Sequence, residues 1–149
     1  TTALHYDGSV QVLRGAAQGF GYRSSAFQTL DVVIVETVFS LEQGDEAEIR
    51  AKMQDFAARR CAKQPLNLPS AGSTFKRPEG YFAAALIEEA GLKGLRIGDA
   101  AVSEKHAGFV VNLGNATAAD VLALIEEVQK RVYAHSGVTL TPEVRLIRS

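Results

Sequence analysis

The segment Ser70–Pro78, SAGSTFKRP, places two adjacent hydroxyl groups close to two cations. Ser73 carries the first hydroxyl, Lys76 and Arg77 supply the charge, and Lys63 adds a third cation shortly upstream. A serine is a weak acid, so it acts on an anionic ligand only where positive charge stabilises the alkoxide that it becomes. The same residue types are also typical of an ordinary turn. The spacing therefore leaves two interpretations, a turn or a small anion site.

Several other kinds of site are excluded by spacing. His5, His106 and His135 are scattered and have no paired Cys or His partner, so we predict no metal site. The order Gly-Lys-Ser/Thr of a P-loop is absent, and no G-x-G-x-x-G follows a strand. Nothing resembles the G-x-S-x-G motif of serine hydrolases.

Composition narrows the class of protein. The 149 residues suffice for one full domain, or for one domain and part of a neighbour, and 46% of them are hydrophobic, as in globular proteins. A net charge of -1 argues against binding to nucleic acid or a membrane surface. Apolar runs such as 32–35 are too short to cross a bilayer. Cys61 has no partner for an internal disulfide, which fits a reducing compartment.

The first part of the chain is rich in strand signals. Residues 3–13 predict a hairpin that turns at Asp7-Gly8, since both residues tolerate a positive φ. Residues 19–27 predict a loop, 31–41 a β-rich run, and 45–63 a helix. That helix carries an apolar stripe of Ile49, Met53, Phe56 and Ala57.

The second part follows the helix breakers Pro65 and Pro69. The pattern predicts a helix at 81–90 closed by Gly91, a buried strand at 109–113, a long helix at 117–135 ended by Gly137, and a closing strand at 143–147. Thr117 and Asp120 have the spacing of a capping box. Interspersed strands and helices place the chain in the α+β class.

Five segments occur in a characteristic order. They are GYRSSAF (21–27), RRCAKQP (59–65), SAGSTFKRP (70–78), AGLKGLRIGDAAVSEKHAGFVVNLGNAT (90–117) and PEVRLI (142–147). This series resembles the UDP-N-acetylenolpyruvoylglucosamine reductase (MurB) family, the flavoenzymes that complete UDP-N-acetylmuramate in peptidoglycan synthesis. The resemblance covers nearly the whole chain and corresponds to the C-terminal portion of the shorter form of such an enzyme.

The resemblance implies a division into domains. Residues 1–44 would be the C-terminal part of the FAD-binding region, 45–64 a connecting helix, and 65–149 a compact α/β-type substrate-binding domain. The glycine-rich loops that bind the FAD phosphates would lie in a missing N-terminal FAD-binding segment. We therefore expect the chain by itself to be inactive.

The resemblance also implies a reaction and its residues. The enzyme, UDP-N-acetylmuramate dehydrogenase, would use NADPH and FAD to reduce UDP-N-acetylglucosamine enolpyruvate, in the cytoplasm and in support of cell-wall synthesis. Ser73 would be the proton donor. Arg23 would bind the substrate carboxylate, since its planar fork suits one. Glu143 would help to polarise that carboxylate.

Four further residues are expected to bind the substrate by resemblance. Tyr22 would line the pocket beside Arg23, Lys63 matches a lysine of the substrate site, and Arg77 and His106 would contact the nucleotide-sugar. Arg60 is interpreted as structural.

Each assignment has a plainer interpretation. Ser73 could be a turn serine, Arg23 a solvated loop residue, and Glu143 an exposed charge at the start of a strand. Lys63 suits the C-terminus of a helix whatever its function, and His106 suits a surface. An alternative function is a nucleotide-sugar-binding module without catalysis.

Overall fold

The computed structural model describes residues 1–147. These residues form two compact units, one of Thr1–Asp45 and one that begins at Glu46. Seven strands and three α-helices in the described residues confirm the α+β class. In residues 1–147 no helix is both long and apolar enough to cross a membrane.

The first unit contains one antiparallel sheet with the strand order β2-β1-β3. Its strands are β1 (Thr2–His5), β2 (Val10–Val12) and β3 (Val32–Glu36), and two short 3-10 helices, Gly15–Gln18 and Ala26–Gln28, lie between β2 and β3. The predicted hairpin is confirmed, and the Ser9 N–H donates to Asp7 Oδ1 at 2.8 Å in its turn. The β-rich run at 31–41 is a strand only over β3. Of the apolar residues in this unit only Ala3 is buried, so the sheet exposes apolar side chains.

The second unit begins with helix α1, Glu46–Lys63, which matches the prediction closely. The helix buries none of its residues, and its apolar stripe of Ile49, Met53 and Phe56 is exposed. Its C-terminal turn is tied to the rest of the unit, because Lys105 Nζ donates to the Cys61 carbonyl oxygen at 2.6 Å.

The core of the second unit lies between a sheet and two helices. The strands are β4 (Ser70–Ser73), β5 (Arg96–Ile97), β6 (Ala100–Val102) and β7 (Phe109–Asn112), in the antiparallel order β4-β7-β6-β5, and the helices are α2 (Ala83–Glu89) and α3 (Ala118–Ser136). Buried Leu124, Val128 and Val132 of α3 pack with Val102 and Val110 of the sheet.

The ends of α3 confirm the signals in the sequence. The Thr117 side chain accepts from the Asp120 N–H at 3.1 Å, and the Asp120 carboxylate accepts from the Thr117 N–H at 2.8 Å. Gly137 closes the helix with φ +71°, a left-handed conformation that favours glycine. The other predicted helix and the buried strand are also confirmed, as α2 and β7.

The predicted closing strand at 143–147 is wrong. Residues 143–147 form no strand, and the segment meets the sheet only through an isolated bridge between Pro142 and Phe75 and the bond from the Glu143 N–H to the Thr74 carbonyl oxygen. Val144 packs against the core, whereas Leu146 and Ile147 are exposed. The apolar residues of this segment therefore do not form one buried face, as they would in a half-buried strand.

Candidate functional site

Ser73 stands at the end of β4, immediately after a β-bulge. Ser70 pairs with Val111 and Ser73 pairs with Phe109. Between these two pairs β4 therefore has one residue more than β7. Gly72 lies in this irregular stretch and has φ +88°. The N–H of Gly72 donates to the Ser70 hydroxyl at 3.1 Å. Bulges redirect the side chains that follow them. The segment that was alternatively interpreted as a turn is therefore an irregular strand, and its irregularity comes directly before Ser73.

The Ser73 side chain lines a cavity of about 490 Å³. Its walls come from the last turn of α1, the loop that follows, β4 and the start of β7, namely Arg60, Gln64, Pro65, Leu66, Leu68, Pro69, Ser70, Gly72, Ser73 and Phe109. Arg60 Nε donates to Gln64 Oε1 at 3.2 Å, which restrains the guanidinium on this wall. Hydroxyl-bearing, cationic and apolar residues therefore line one cavity, a combination that suits an anionic organic ligand.

Glu143 is brought to the same end of β4. Its backbone N–H donates to the Thr74 carbonyl oxygen at 2.8 Å, and Thr74 directly follows Ser73. A second bond, from the Lys76 N–H to the Thr141 carbonyl oxygen at 2.8 Å, aligns the two segments. Two of the predicted catalytic residues, distant in sequence, therefore lie at one junction.

Arg77 lies in the loop between β4 and α2, held by two contacts. Its Nε donates to the Tyr81 carbonyl oxygen at 3.2 Å, and its guanidinium carbon is 4.0 Å from the centre of the Phe82 ring. The stacked, exposed guanidinium leaves its terminal nitrogen atoms directed to solvent or a ligand.

Lys63 and His106 are not among the residues that line the Ser73 cavity. Lys63 is the exposed last residue of α1, one helical turn after Arg60. His106 lies in the turn between β6 and β7, where its Nδ1 accepts from the Gly108 N–H at 3.1 Å and its ring meets Phe109 edge-on at 5.0 Å. The structure gives the side chain of His106 a local role in this turn.

Arg23 and Tyr22 belong to the first unit and lie in a tight turn between Gly21 and Ser24. Arg23 has φ +54°, a left-handed conformation that is unusual for a residue with a side chain. A Cβ atom on Gly21 would lie 2.7 Å from Ser24 Oγ, so a larger residue there would force the serine side chain to rotate. Tyr22 is 89% exposed, so both predicted ligand-binding side chains are presented by a strained turn.

The carboxyl groups whose pKa is clearly shifted lie away from Ser73. The pKa of Asp99 is lowered first by the Asn115 N–H and then by Arg96, and that of Glu127 is lowered first by Arg131. Both groups stabilise loops and helices. Within residues 1–147 no cluster of three metal-binding side chains occurs.

A larger cleft of about 840 Å³ adjoins the Ser73 cavity on the same face of the sheet, and the two share Pro65, Leu66 and Leu68. Its floor is apolar, with Ala101 and Val111 of the sheet. The cavity and the cleft together form one groove, which is lined in part by the loop that follows α1.

Two residues near Ser73 were not predicted as site residues. Arg60 was interpreted as structural, and it lines the same cavity as Ser73. Thr74 was not singled out, although it follows Ser73 and is buried. The helical spacing of Arg60 from Gln64, four residues on, was the signal that both side chains share one wall.

Comparisons with known proteins identify the family of the chain. Residues 64–147 match the family described as "UDP-N-acetylenolpyruvoylglucosamine reductase, C-terminal domain". The chain is 49% identical over 146 residues to the UDP-N-acetylenolpyruvoylglucosamine reductase of Limosilactobacillus fermentum, covering 98% of this chain and 49% of that protein. It is 57% identical over 127 residues to the reductase of Clostridium perfringens strain SM101, covering 85% and 42%.

The fold agrees as well. The crystal structure of UDP-N-acetylenolpyruvylglucosamine reductase (MurB) from Thermus caldophilus matches with a TM-score of 0.75 and 36% identity, over 97% of this chain and 51% of that one. The chain spans about half the length of the curated relatives it matches.

Proposed function

The chain belongs to the UDP-N-acetylenolpyruvoylglucosamine reductase (MurB) family, and from this premise we propose that it supplies the substrate-binding domain and the proton donor of such an enzyme. The reaction is the reduction of UDP-N-acetylglucosamine enolpyruvate to UDP-N-acetylmuramate for peptidoglycan synthesis, in the cytoplasm. One observation carries the proposal: Ser73 lines a cavity that also holds the cation of Arg60, and Glu143 joins the same end of β4.

The chain's own residues do not fit a whole FAD. The Ser73 cavity of about 490 Å³ suits one end of a ligand. The turn before α3 has a single glycine, Gly114, and the amide groups at that helix start are capped by Thr117 and Asp120. A diphosphate needs free amide groups at such a turn. We therefore assign the FAD phosphates to an N-terminal flavin-binding half, the proposed partner of this chain.

Ser73 would provide the proton. FAD reduced by NADPH supplies the hydride in enzymes of this kind. Once one carbon of the enolpyruvyl double bond has accepted that hydride, its neighbour beside the carboxylate carries the negative charge. The Ser73 O–H bond breaks, a C–H bond forms at that carbon, and an alkoxide remains on Ser73. Arg60, which lines the same cavity, would stabilise the alkoxide by its positive charge.

Arg23 and Glu143 are proposed to act on the substrate carboxylate. The planar guanidinium of Arg23 would bind it through two hydrogen bonds, and the strained turn that presents Arg23 fits a ligand-binding role. Glu143 would polarise the carboxylate as charge develops on the neighbouring carbon. Tyr22 would pack beside the bound end of the substrate.

The remaining cations are proposed to bind the nucleotide-sugar. Arg77, stacked on Phe82, presents a pre-ordered guanidinium that suits a diphosphate. Lys63 adds charge at the end of α1. His106 is proposed as a polar contact to the nucleotide-sugar, with its ring orientation fixed by Gly108 and Phe109.

An assay of the holoenzyme, meaning this chain together with an N-terminal flavin-binding half and bound FAD, tests the function. We expect UDP-N-acetylglucosamine enolpyruvate to be converted to UDP-N-acetylmuramate with consumption of one NADPH, and the product to be identified by mass. Binding of the substrate without product would favour the alternative, a nucleotide-sugar-binding module.

Calorimetry on the chain alone tests the division between the two halves. We expect weak binding of the UDP-sugar substrate, through Lys63, Arg77 and His106, and very little binding of FAD. Tight stoichiometric binding of FAD by this chain would contradict the assignment of the FAD phosphates to another segment.

A further inference from the structure

Thr74 connects three segments of the second unit. Only 3% of the surface of Thr74 is exposed. Among residues 1–147, Thr74 and Ser103 are the two polar residues that are buried. Its N–H donates to the Gly108 carbonyl oxygen at 2.8 Å, its Oγ1 accepts from the Val110 N–H at 3.0 Å, and its carbonyl oxygen accepts from the Glu143 N–H at 2.8 Å. One buried residue thus bonds to the chain before β7, to β7 itself and to the segment that carries Glu143.

Two of these bonds bear directly on the proposed site. Ser73 precedes Thr74 by one peptide bond, so whatever fixes Thr74 limits the position of the Ser73 hydroxyl. Glu143 is bonded to the Thr74 carbonyl group. Thr74 therefore positions both Ser73, the proposed proton donor, and Glu143, the proposed polarising carboxylate.

The bulge weakens the pairing of β4 with β7 near Ser73, and the Thr74 hydroxyl compensates with a hydrogen bond of its own. The extra residue at Gly72 interrupts regular pairing between β4 and β7 just before Ser73, and a bulge locally disrupts the hydrogen-bond ladder. Thr74 Oγ1 adds a bond to Val110 directly after this interruption. A buried bond of this kind is stronger than an exposed one, because no water competes for the donor.

We propose that Thr74 is a positioning residue, whose hydroxyl holds Ser73 and Glu143 in the relative placement that proton transfer requires. This inference rests on the proposed function, since the roles of Ser73 and Glu143 are assigned there. Thr74 itself touches neither substrate nor cofactor in this account.

Three variants of the holoenzyme test it. Thr74→Val keeps the shape of the side chain and removes the hydroxyl, and Thr74→Ser keeps the hydroxyl. Thr117→Val is a matched control, because Thr117 also accepts from a backbone N–H, that of Asp120, at 3.1 Å, but it lies at the start of α3.

The first readout is hydrogen exchange, which is independent of activity. We expect Thr74→Val to speed exchange in peptides covering 108–112 and 141–145, and Thr74→Ser to restore the slow exchange. Unchanged exchange in Thr74→Val would overturn the inference, because Thr74 would then not hold these segments together.

The second readout is the kinetics of each half of the reaction. We expect Thr74→Val to slow oxidation of the reduced enzyme by saturating enolpyruvyl substrate by about 10- to 100-fold. Reduction by NADPH should stay unchanged, and Thr74→Ser should recover most of the lost rate. Thr117→Val should lower stability with neither rate changed.

The outcomes separate the two proposals. Faster exchange with both rates unchanged would make Thr74 purely structural and overturn its positioning role, while the proposed function stands. An unmutated holoenzyme that forms no UDP-N-acetylmuramate would overturn the proposed function and this role with it. If Thr74→Val does not fold, Thr74→Ala, which also removes the hydroxyl, takes its place: faster exchange in 108–112 and slower oxidation by the substrate support the inference, and exchange and rate both unchanged contradict it.

Discussion

The backbone N–H of Glu143 donates a 2.8 Å hydrogen bond to the carbonyl oxygen of Thr74, the residue that follows Ser73. This bond joins the last described segment of the chain to the first strand of its second sheet. Two residues that sequence reasoning assigned separately to catalysis are thus placed by one contact. Ser73 and Glu143 are far apart in the sequence, so their proximity depends on the folding of the second unit.

Gly72 tests the importance of the bulge. Gly72 has φ +88°, and no atom lies within 4 Å of the position that a Cβ would take. The substitution Gly72→Ala therefore causes backbone strain without a steric clash. Such strain costs about 1–2 kcal/mol in the left-handed region. We expect Gly72→Ala to destabilise the protein by this amount and to slow the reaction with substrate. Gly8→Ala is a matched control, because Gly8 has φ +86° and equally open surroundings in the first unit's hairpin. Denaturant unfolding and holoenzyme kinetics check both; equal losses of rate in the two variants would argue against a specific role for the bulge.

Arg60 tests the charge in the Ser73 cavity. Removal of a charged hydrogen-bond donor typically costs about 1.5–3 kcal/mol, so we expect Arg60→Ala to lower kcat/KM for the enolpyruvyl substrate by roughly 10- to 150-fold. Arg59→Ala is the control, since Arg59 pairs with Asp55 at 2.8 Å on the exposed side of α1. Steady-state kinetics of the two holoenzyme variants measure the difference, and a similar small effect in both would return Arg60 to a structural role.

The bond from Lys105 to the Cys61 carbonyl oxygen, at 2.6 Å, fixes the end of α1 that carries Arg60. A cation at a helix C-terminus contributes about 0.3–1 kcal/mol. We expect Lys105→Met, which keeps the aliphatic stem, to speed hydrogen exchange in the last turn of α1. Lys93→Met should leave α1 unchanged, because Lys93 bonds to Glu88 of α2. Equal exchange in α1 in all three proteins would contradict this role.

The cap of α3 predicts a dependence of stability on pH. The pKa of Asp120 lies below its ordinary value of 3.8, chiefly because the Thr117 N–H and then the Thr117 side chain hydrogen-bond to it. The carboxylate therefore stabilises the fold fully above that ordinary value, and its contribution is lost as the pH falls through the lower, folded pKa. Thermal unfolding between about pH 5 and pH 2 should show a smaller drop in Asp120→Asn than in the unmutated protein. Parallel drops would mean that the cap contributes no charge-dependent stability.

The sequence predicted the regular elements well, because their signals are local. The capping box of Thr117 and Asp120, the hairpin turn at Asp7 and the stripe on α3 each depend on neighbouring residues alone. The motif order also predicted the family, which the matches confirm. A segment such as 143–147 failed, because its alternation lacked a partner edge beyond Pro142.

The irregular elements were harder to predict. β4 consists of small residues and includes Gly72, so it resembles a turn, and only its pairing with β7 makes it a strand. The β5–β6 hairpin was missed although its two-residue turn, Gly98-Asp99, is a known signal. The placement of Arg60 and Ser73 around one cavity depends on how α1 meets the sheet, and no local sequence pattern encodes that.

The central claim is that Ser73 gives the proton, and rapid-mixing kinetics of the Ser73→Ala holoenzyme test it most directly. Reduction by NADPH should be nearly unchanged and serves as the internal control, because Ser73 has no role in that half of the reaction. Oxidation by UDP-N-acetylglucosamine enolpyruvate should slow by about 10²- to 10⁴-fold, the usual cost of removing a positioned acid. Ser73→Cys should recover part of the rate, since a thiol also donates a proton. If Ser73→Ala is oxidised by the substrate at the unmutated rate, Ser73 is a strand residue beside the cavity and the proton comes from another group.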